Sequence, residues 1–110
     1  MAYNEKLAER IRRQLSERSD MVERKMFGGL AFMVRGHMCC GIVGEELMVR
    51  VGPEIYGSAL KEKHVREMDF TGRPLRGMIY VAAPGIASAK QLAKWVERGL
   101  QFVLTLPKKK

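Results

Sequence analysis

No apolar run in this chain approaches the roughly 20 residues that a helix needs to cross a bilayer. The first 20 residues also lack the apolar core and small-residue cleavage site of a secretory signal. Both absences imply a cytoplasmic protein without a membrane partner. Cysteine is scarce, with two residues, adjacent at Cys39 and Cys40. Neighbours on a strand project to opposite faces, so the two are poor disulfide partners, and at least one reads as a small buried hydrophobe. Histidine occurs only at His37 and His64, with no Cys-x-x-Cys or His-x-x-x-His spacing around it, so neither a metal nor a cofactor is expected. Acidic residues are also in deficit, 12 against 20 lysines and arginines, for a formal charge of +8. Lys108, Lys109 and Lys110 supply three of those charges, which leaves +5 for the rest of the chain.

What is present is enough for one domain spanning residues 1–110, with residues 105–110 as a basic, disordered tail. The organising stretch is residues 25–43, where apolar alternation is interrupted by glycine as in a sheet-forming segment. Leu30, Phe32 and Val34 form the better core face of one strand, with Ala31, Met33 and Arg35 on the other side. Further strands are predicted over residues 37–43 and 47–51, joined by short glycine-bearing turns that make them antiparallel. Residues 21–26 read as a strand leading into Gly28-Gly29, where glycine supplies a positive φ, a bulge or room for a neighbouring backbone. A phosphate-cradling loop is the alternative there, but no Gly-x-Gly-x-x-Gly or Gly-Lys-Ser/Thr follows that pair and the next element is a strand, which argues against it.

Asn4 can cap a first helix running to about residue 19, with Leu7, Ile11 and Leu15 on its apolar stripe. Gly52-Pro53 ends the third meander strand and starts a short helix anchored by Ile55, Ala59 and Leu60. Residues 61–77 read as a polar segment with a turn at residues 71–74, followed by a strand over residues 78–82. Ser88 with Gln91 has capping-box spacing and opens a last helix, with Leu92, Trp95, Val96, Leu100, Val103 and Leu104 on a broad apolar stripe. The predicted fold class is α+β in two layers, with an antiparallel sheet of five or six strands carrying the N-terminal and C-terminal helices.

For function, Arg50, Arg66, Arg73 and Arg76 are the candidate anion or nucleic-acid site, because guanidinium forks suit phosphate. The competing reading is a solvated loop with local ion pairs, and it is the favoured one. Met33, Cys39 and Met48 mark a semi-apolar sheet face as a candidate interface to a protein partner or to a second copy, unless residues 61–77 or the last helix cover it within the chain. The residues point to no catalytic set. A small-molecule enzyme using Cys39, Cys40 or His64 stands third, without a local motif behind it.

The run Lys25-Met26-Phe27-Gly28-Gly29-Leu30-Ala31-Phe32, then Gly36-His37-Met38, Leu47-Met48-Val49-Arg50-Val51, and Leu92 with Trp95-Val96, resembles the TfoX N-terminal domain family, also called TfoX/Sxy. Full-length competence regulators of that family carry a second, helical C-terminal domain, for which this chain has no room, so it looks like a stand-alone N-terminal module. The resemblance implies an α+β fold, transcriptional regulation of competence, and no established catalytic residues. Two main readings follow: a non-catalytic regulatory or protein-interaction module, and a nucleic-acid-associated regulator whose binding is weak and lost in salt.

Overall fold

A computed structural model describes residues 3–26, 28–68 and 77–107. Helix α1 (Glu5–Gln14) is followed by a four-strand meander: β1 (Met21–Met26), β2 (Gly29–Val34), β3 (His37–Val43) and β4 (Glu46–Arg50). Then come α2 (Pro53–Ala59), β5 (Val65–Glu67), β6 (Met78–Val81), a 3-10 turn (Ala83–Ile86) and α3 (Ala89–Val103). The strands form one antiparallel sheet in the order β1-β2-β3-β4-β6-β5. The fold is thus α+β, with α1 and α3 on one face of a six-stranded sheet.

Alternation of side chains about the sheet explains the core. Leu30, Phe32, Val34, Ile42, Leu47, Val49, Ile79 and Val81 face the helices and pack with Leu7, Ala8, Ile11 and Leu15 of α1 and Leu92, Trp95, Val96 and Val103 of α3. Trp95 is 2% exposed. The Asn4 side chain accepts from the Leu7 N–H at 3.0 Å, and the Ser88–Gln91 capping box is complete, so both long helices start where their caps dictate. Helix α1 stops earlier than the predicted residue 19. The Ser16 hydroxyl bonds back to the Arg13 carbonyl at 3.0 Å, and the Arg18 N–H donates to the Leu15 carbonyl, which turns the chain toward β1. Arg18 and Asp20 then pair bidentately at 2.8 and 2.9 Å.

The two glycines before β2 divide their work. Gly28 has φ +71°, and a Cβ on Gly29 would lie 1.8 Å from the Ile42 carbonyl oxygen, so the first makes the turn and the second lets β3 approach. The β2–β3 turn, Arg35-Gly36, has φ of +55° and +84° at its two residues, the positive pair that suits the twist of a tight hairpin.

The adjacent cysteines depart from the expected alternation. Phe32 pairs with Cys40 and Met33 with Met38, so Cys39 is an extra residue in a two-against-one bulge. A bulge of this kind turns both of its residues to one side, and Cys39 and Cys40 are both buried in the helix-side core rather than on opposite faces. Helix α3 crosses β3 at this point: a Cβ on Gly99 would lie 2.6 Å from the Cys39 carbonyl oxygen. The glycine inside α3 is therefore required by close packing against the bulge.

Three further expectations are corrected. Ile55 is 36% exposed and does not anchor α2, whose buried residue is Ala59. Leu104 lies just past α3 and is 37% exposed, since the stripe ends at Val103. Residues 65–67 of the polar segment form β5, an edge strand created by the free side of β6. The predicted turn at residues 71–74 lies outside the described residues.

The sheet face away from α1 and α3 is rich in methionine. Met33 and Met38 are cross-strand partners there, as are Met48 and Tyr80. Met48 packs with Met68 and Tyr80 in a second buried cluster, against which Val43 and Met78 lie. Unbranched thioethers can lie flat over small residues. Ala31 is fully buried, and the Met48 methyl would lie 2.7 Å from a Cβ on Gly41.

Candidate functional site

A groove of about 450 Å³ lies between the start of α2 and the C-terminal half of α3. Its position follows from two glycines. Gly52, at φ +87°, turns the chain out of β4, and a Cβ there would meet Phe102 Cδ1 at 2.3 Å, so the aromatic ring lies directly on the glycine. Pro53 then supplies the preset φ of the first helical turn. The Val51 and Gly52 N–H groups both donate to the Gly77 carbonyl, at 2.8 and 3.1 Å, which clamps this corner to the start of β6.

Val51, Pro53, Ile55 and Phe102 give the groove its apolar surface, with Gln101 and Thr105 beside them and Glu54, Glu97 and Arg98 among the lining residues. The α3 wall is held by a charged network. Glu62, just after α2, accepts from Lys94 Nζ at 2.9 Å and pairs with Arg98. Both cations also lie over Trp95, 4.8 and 4.6 Å from the ring centroid. Burial pushes the Glu62 carboxyl up, but the bonds from Lys94 and Arg98, with their positive charges, outweigh it and leave its pKa below the usual value. Among the described residues, neither Glu54 nor Glu97 has an ion-pair partner. Glu97 accepts from Gln101 Nε2 at 2.6 Å.

A family model described as the TfoX N-terminal domain matches residues 13–103. The chain belongs to the TfoX N-terminal domain family. No curated protein and no solved structure matches it. The match runs from within α1 to the end of α3, so the TfoX N-terminal domain includes the sheet and both elements that form the groove.

The residues singled out from the sequence are placed differently within this TfoX N-terminal domain. Arg50 ends β4 with its guanidinium 5.4 Å from the Phe102 ring centroid, beside the groove. Arg66, on β5, pairs with Glu46 and lies 4.4 Å from the Tyr80 ring centroid. Its charge is therefore locally balanced. Arg73 and Arg76 lie outside the described residues. Of the proposed interface, Met33 is half-buried on the methionine-rich face, whereas Cys39 is fully buried under α3 and Met48 fully buried against Met68 and Tyr80. Cys39 and Met48 thus do not line an open surface: the bulge moves one to the helix side, and packing within the chain covers the other.

The cysteines and histidines are not assembled for nucleophilic chemistry. The Cys40 thiol is pushed well above its ordinary value, first by its bond with Cys39 and then by burial, the reverse of activation. His64, at φ +68°, has an exposed side chain whose Cβ would lie 3.0 Å from a Cβ on Gly85. His37 Nε2 lies 2.7 Å from the Pro107 carbonyl oxygen. Among the described residues, no three His, Cys, Asp or Glu side chains gather in a way that could hold a metal ion, and no helix is long and apolar enough to cross a membrane.

Sequence reasoning missed the groove because its walls come from residues 51–55 and 97–105, far apart in the chain. One local signal existed. Phe102 is a large apolar residue set off the core stripe of α3, and an aromatic there needs another surface to cover it.

Proposed function

We propose that this domain is a non-catalytic protein-interaction module that acts in the cytoplasm and serves transcriptional regulation, the competence role implied by the family resemblance. The observation that carries this reading is the groove: an apolar depression of about 450 Å³, within the size range of ligand and anchor-residue pockets, with a wall whose Lys94 and Arg98 pair with Glu62. Its walls offer contact surface and rim charge. A partner side chain seated between Ile55 and Phe102 would cover apolar area that is now in contact with water, the usual source of affinity at an interface hot spot. The groove takes the place of the sheet face as the interaction surface in this reading, because Met48 and Cys39 are covered within the chain.

The test is capture from an extract of the cells that make the protein, with and without nuclease, using the wild-type chain and Ile55→Asn. Ile55 is an exposed residue of α2, so the substitution leaves the core intact. The expected result is a nuclease-resistant protein partner lost with Ile55→Asn. Capture that disappears with nuclease and is indifferent to Ile55 would instead support the nucleic-acid reading. In that case the tail supplies the contacts: deleting residues 108–110 should abolish binding to duplex DNA. With three phosphate contacts, the tail would give a log–log salt slope of about −2.7 before deletion.

A further inference from the structure

Within the groove and its walls charge is balanced. Glu54, Glu97 and Glu62 are matched in number by Arg50, Lys94 and Arg98, and the Phe102 ring contact leaves the Arg50 charge in place. The surplus lies at one end. Thr105 lines the groove, and two residues later the Pro107 carbonyl oxygen is held 2.7 Å from His37 Nε2 at the start of β3. The Arg35 guanidinium lies 3.5 Å from the Leu104 carbonyl oxygen on the same stretch and is in no ion pair among the described residues. The Asp20 carboxylate, which also feels Arg35, is matched by Arg18. Lys108, Lys109 and Lys110 follow Pro107 directly, and three residues reach no further than about 10 Å, one screening length in 0.1 M salt. Arg35 and these lysines thus bring four positive charges, half of the formal +8, to the Thr105 end of the groove.

From this arrangement we infer that the groove takes an acidic peptide segment of a partner protein: one bulky apolar side chain enters between Ile55 and Phe102, and aspartate or glutamate residues beside it lie toward Arg35 and the three lysines. The inference rests on the interaction-module reading and adds the chemistry of the partner. A basic segment would fill the depression equally well but would bring its charges against the four cations, and like charges brought together at an interface disfavour a partner. A nucleic-acid strand would satisfy the cations and leave the apolar depression in contact with water. The acidic segment satisfies both together.

A library of random 12-residue peptides displayed on phage, selected against the wild-type chain with prior depletion on Ile55→Asn, isolates sequences that depend on the groove. The expected winners combine one large apolar residue with an excess of aspartate and glutamate over lysine and arginine. Any basic protein favours acidic peptides through its general field, so a synthetic copy of the leading peptide is then titrated against two variants of equal net charge. One carries Arg35→Gln, Lys108→Gln, Lys109→Gln and Lys110→Gln. The other carries Lys6→Gln, Arg24→Gln, Lys25→Gln and Lys90→Gln, exposed positions at the starts of α1 and α3 and on β1. In low salt the first should bind about tenfold more weakly than the wild type and the second about twofold, with both losses shrinking as salt is raised. Equal losses would trace the preference to the field of the whole chain and overturn the inference. Groove-dependent winners that are neutral or basic would overturn it too, and either result leaves the interaction module standing. If no groove-dependent peptide emerges, the acidic-segment inference falls, and the interaction module falls with it only when capture from cells is also indifferent to Ile55→Asn.

Discussion

Two glycines in helices make opposite predictions for one substitution. Gly57, in α2, has open space where a Cβ would be, whereas a Cβ on Gly99, in α3, would lie 2.6 Å from the Cys39 carbonyl oxygen and 3.2 Å from Val49 Cγ1. Helix propensity alone favours alanine over glycine by about 1 kcal/mol at either position. At Gly57 nothing opposes that gain, so Gly57→Ala should stabilise the protein by about 0.5–1 kcal/mol. At Gly99 the obstructing atom belongs to the backbone of a central strand and cannot rotate away, so α3 or the bulge must move. Overpacking of this kind costs about 1–3 kcal/mol. With a cost toward the upper part of that range, the net effect of Gly99→Ala is a loss of about 1–2 kcal/mol. Thermal unfolding followed by circular dichroism reads both variants, at about 4 °C per kcal/mol for a domain of this size. A Gly99→Ala midpoint equal to or above that of the wild type would refute the close crossing of α3 over the bulge. A rise with Gly57→Ala in the same experiment would show that the propensity term was counted correctly.

Trp95→Ala should lose about 3–5 kcal/mol in chemical denaturation, because a nearly fully buried ring under two cations leaves a large cavity, and an unmoved midpoint would take Trp95 out of the core. The pKa values of Asp20, Glu23 and Glu62 are lowered in the folded state: Asp20 chiefly by its bond from Arg18, Glu23 chiefly by its bond from Arg12, and Glu62 by Lys94 and Arg98 against the burial that opposes them. Their contribution is therefore present above the ordinary carboxylate range and is lost as pH falls through the folded-state values, so the denaturation midpoint should decline below about pH 4.5 and the decline should be shallower in Arg12→Gln. Cys39 and Cys40 should resist a thiol reagent in native buffer at pH 8 and react fully in denaturant; rapid native labelling would contradict their burial beneath α3.

Much of the fold was legible because the local signals agree with one another. The Ser88–Gln91 box, Asn4, the alternation of Leu30, Phe32 and Val34, and the glycine-bearing turns all act over a few residues, and each lies where those cues put it. The misses are those in which distant chain decides. Nothing in Met38-Cys39-Cys40-Gly41 marks a bulge; the extra residue shows only when Phe32 and Met33 are placed opposite it. Val65-Arg66-Glu67 has one apolar residue and becomes a strand because β6 offers it an edge. Ile55 and Ala59 are one turn apart and look like a pair of anchors, but Ala59 alone reaches the core. The arginine set was chosen for its side-chain chemistry, and only the fold reveals that Glu46 already holds Arg66 and that Arg50 rests on Phe102.

The sheet order also constrains how the chain can assemble. Strands β1 to β4 pair each with its sequence neighbour, so the meander can grow by closing short loops, which is entropically cheap and kinetically quick. Strand β5 comes next along the chain but has no place on the meander, because its neighbour in the sheet is β6 and β6 stands between it and β4. It can join the sheet only together with β6 or after it. The Val51-Gly52 clamp on Gly77 forms with the docking of β6. The corner that shapes the groove accordingly needs β6 and α3 as well as the meander, and a nascent chain that has completed only its meander carries no groove.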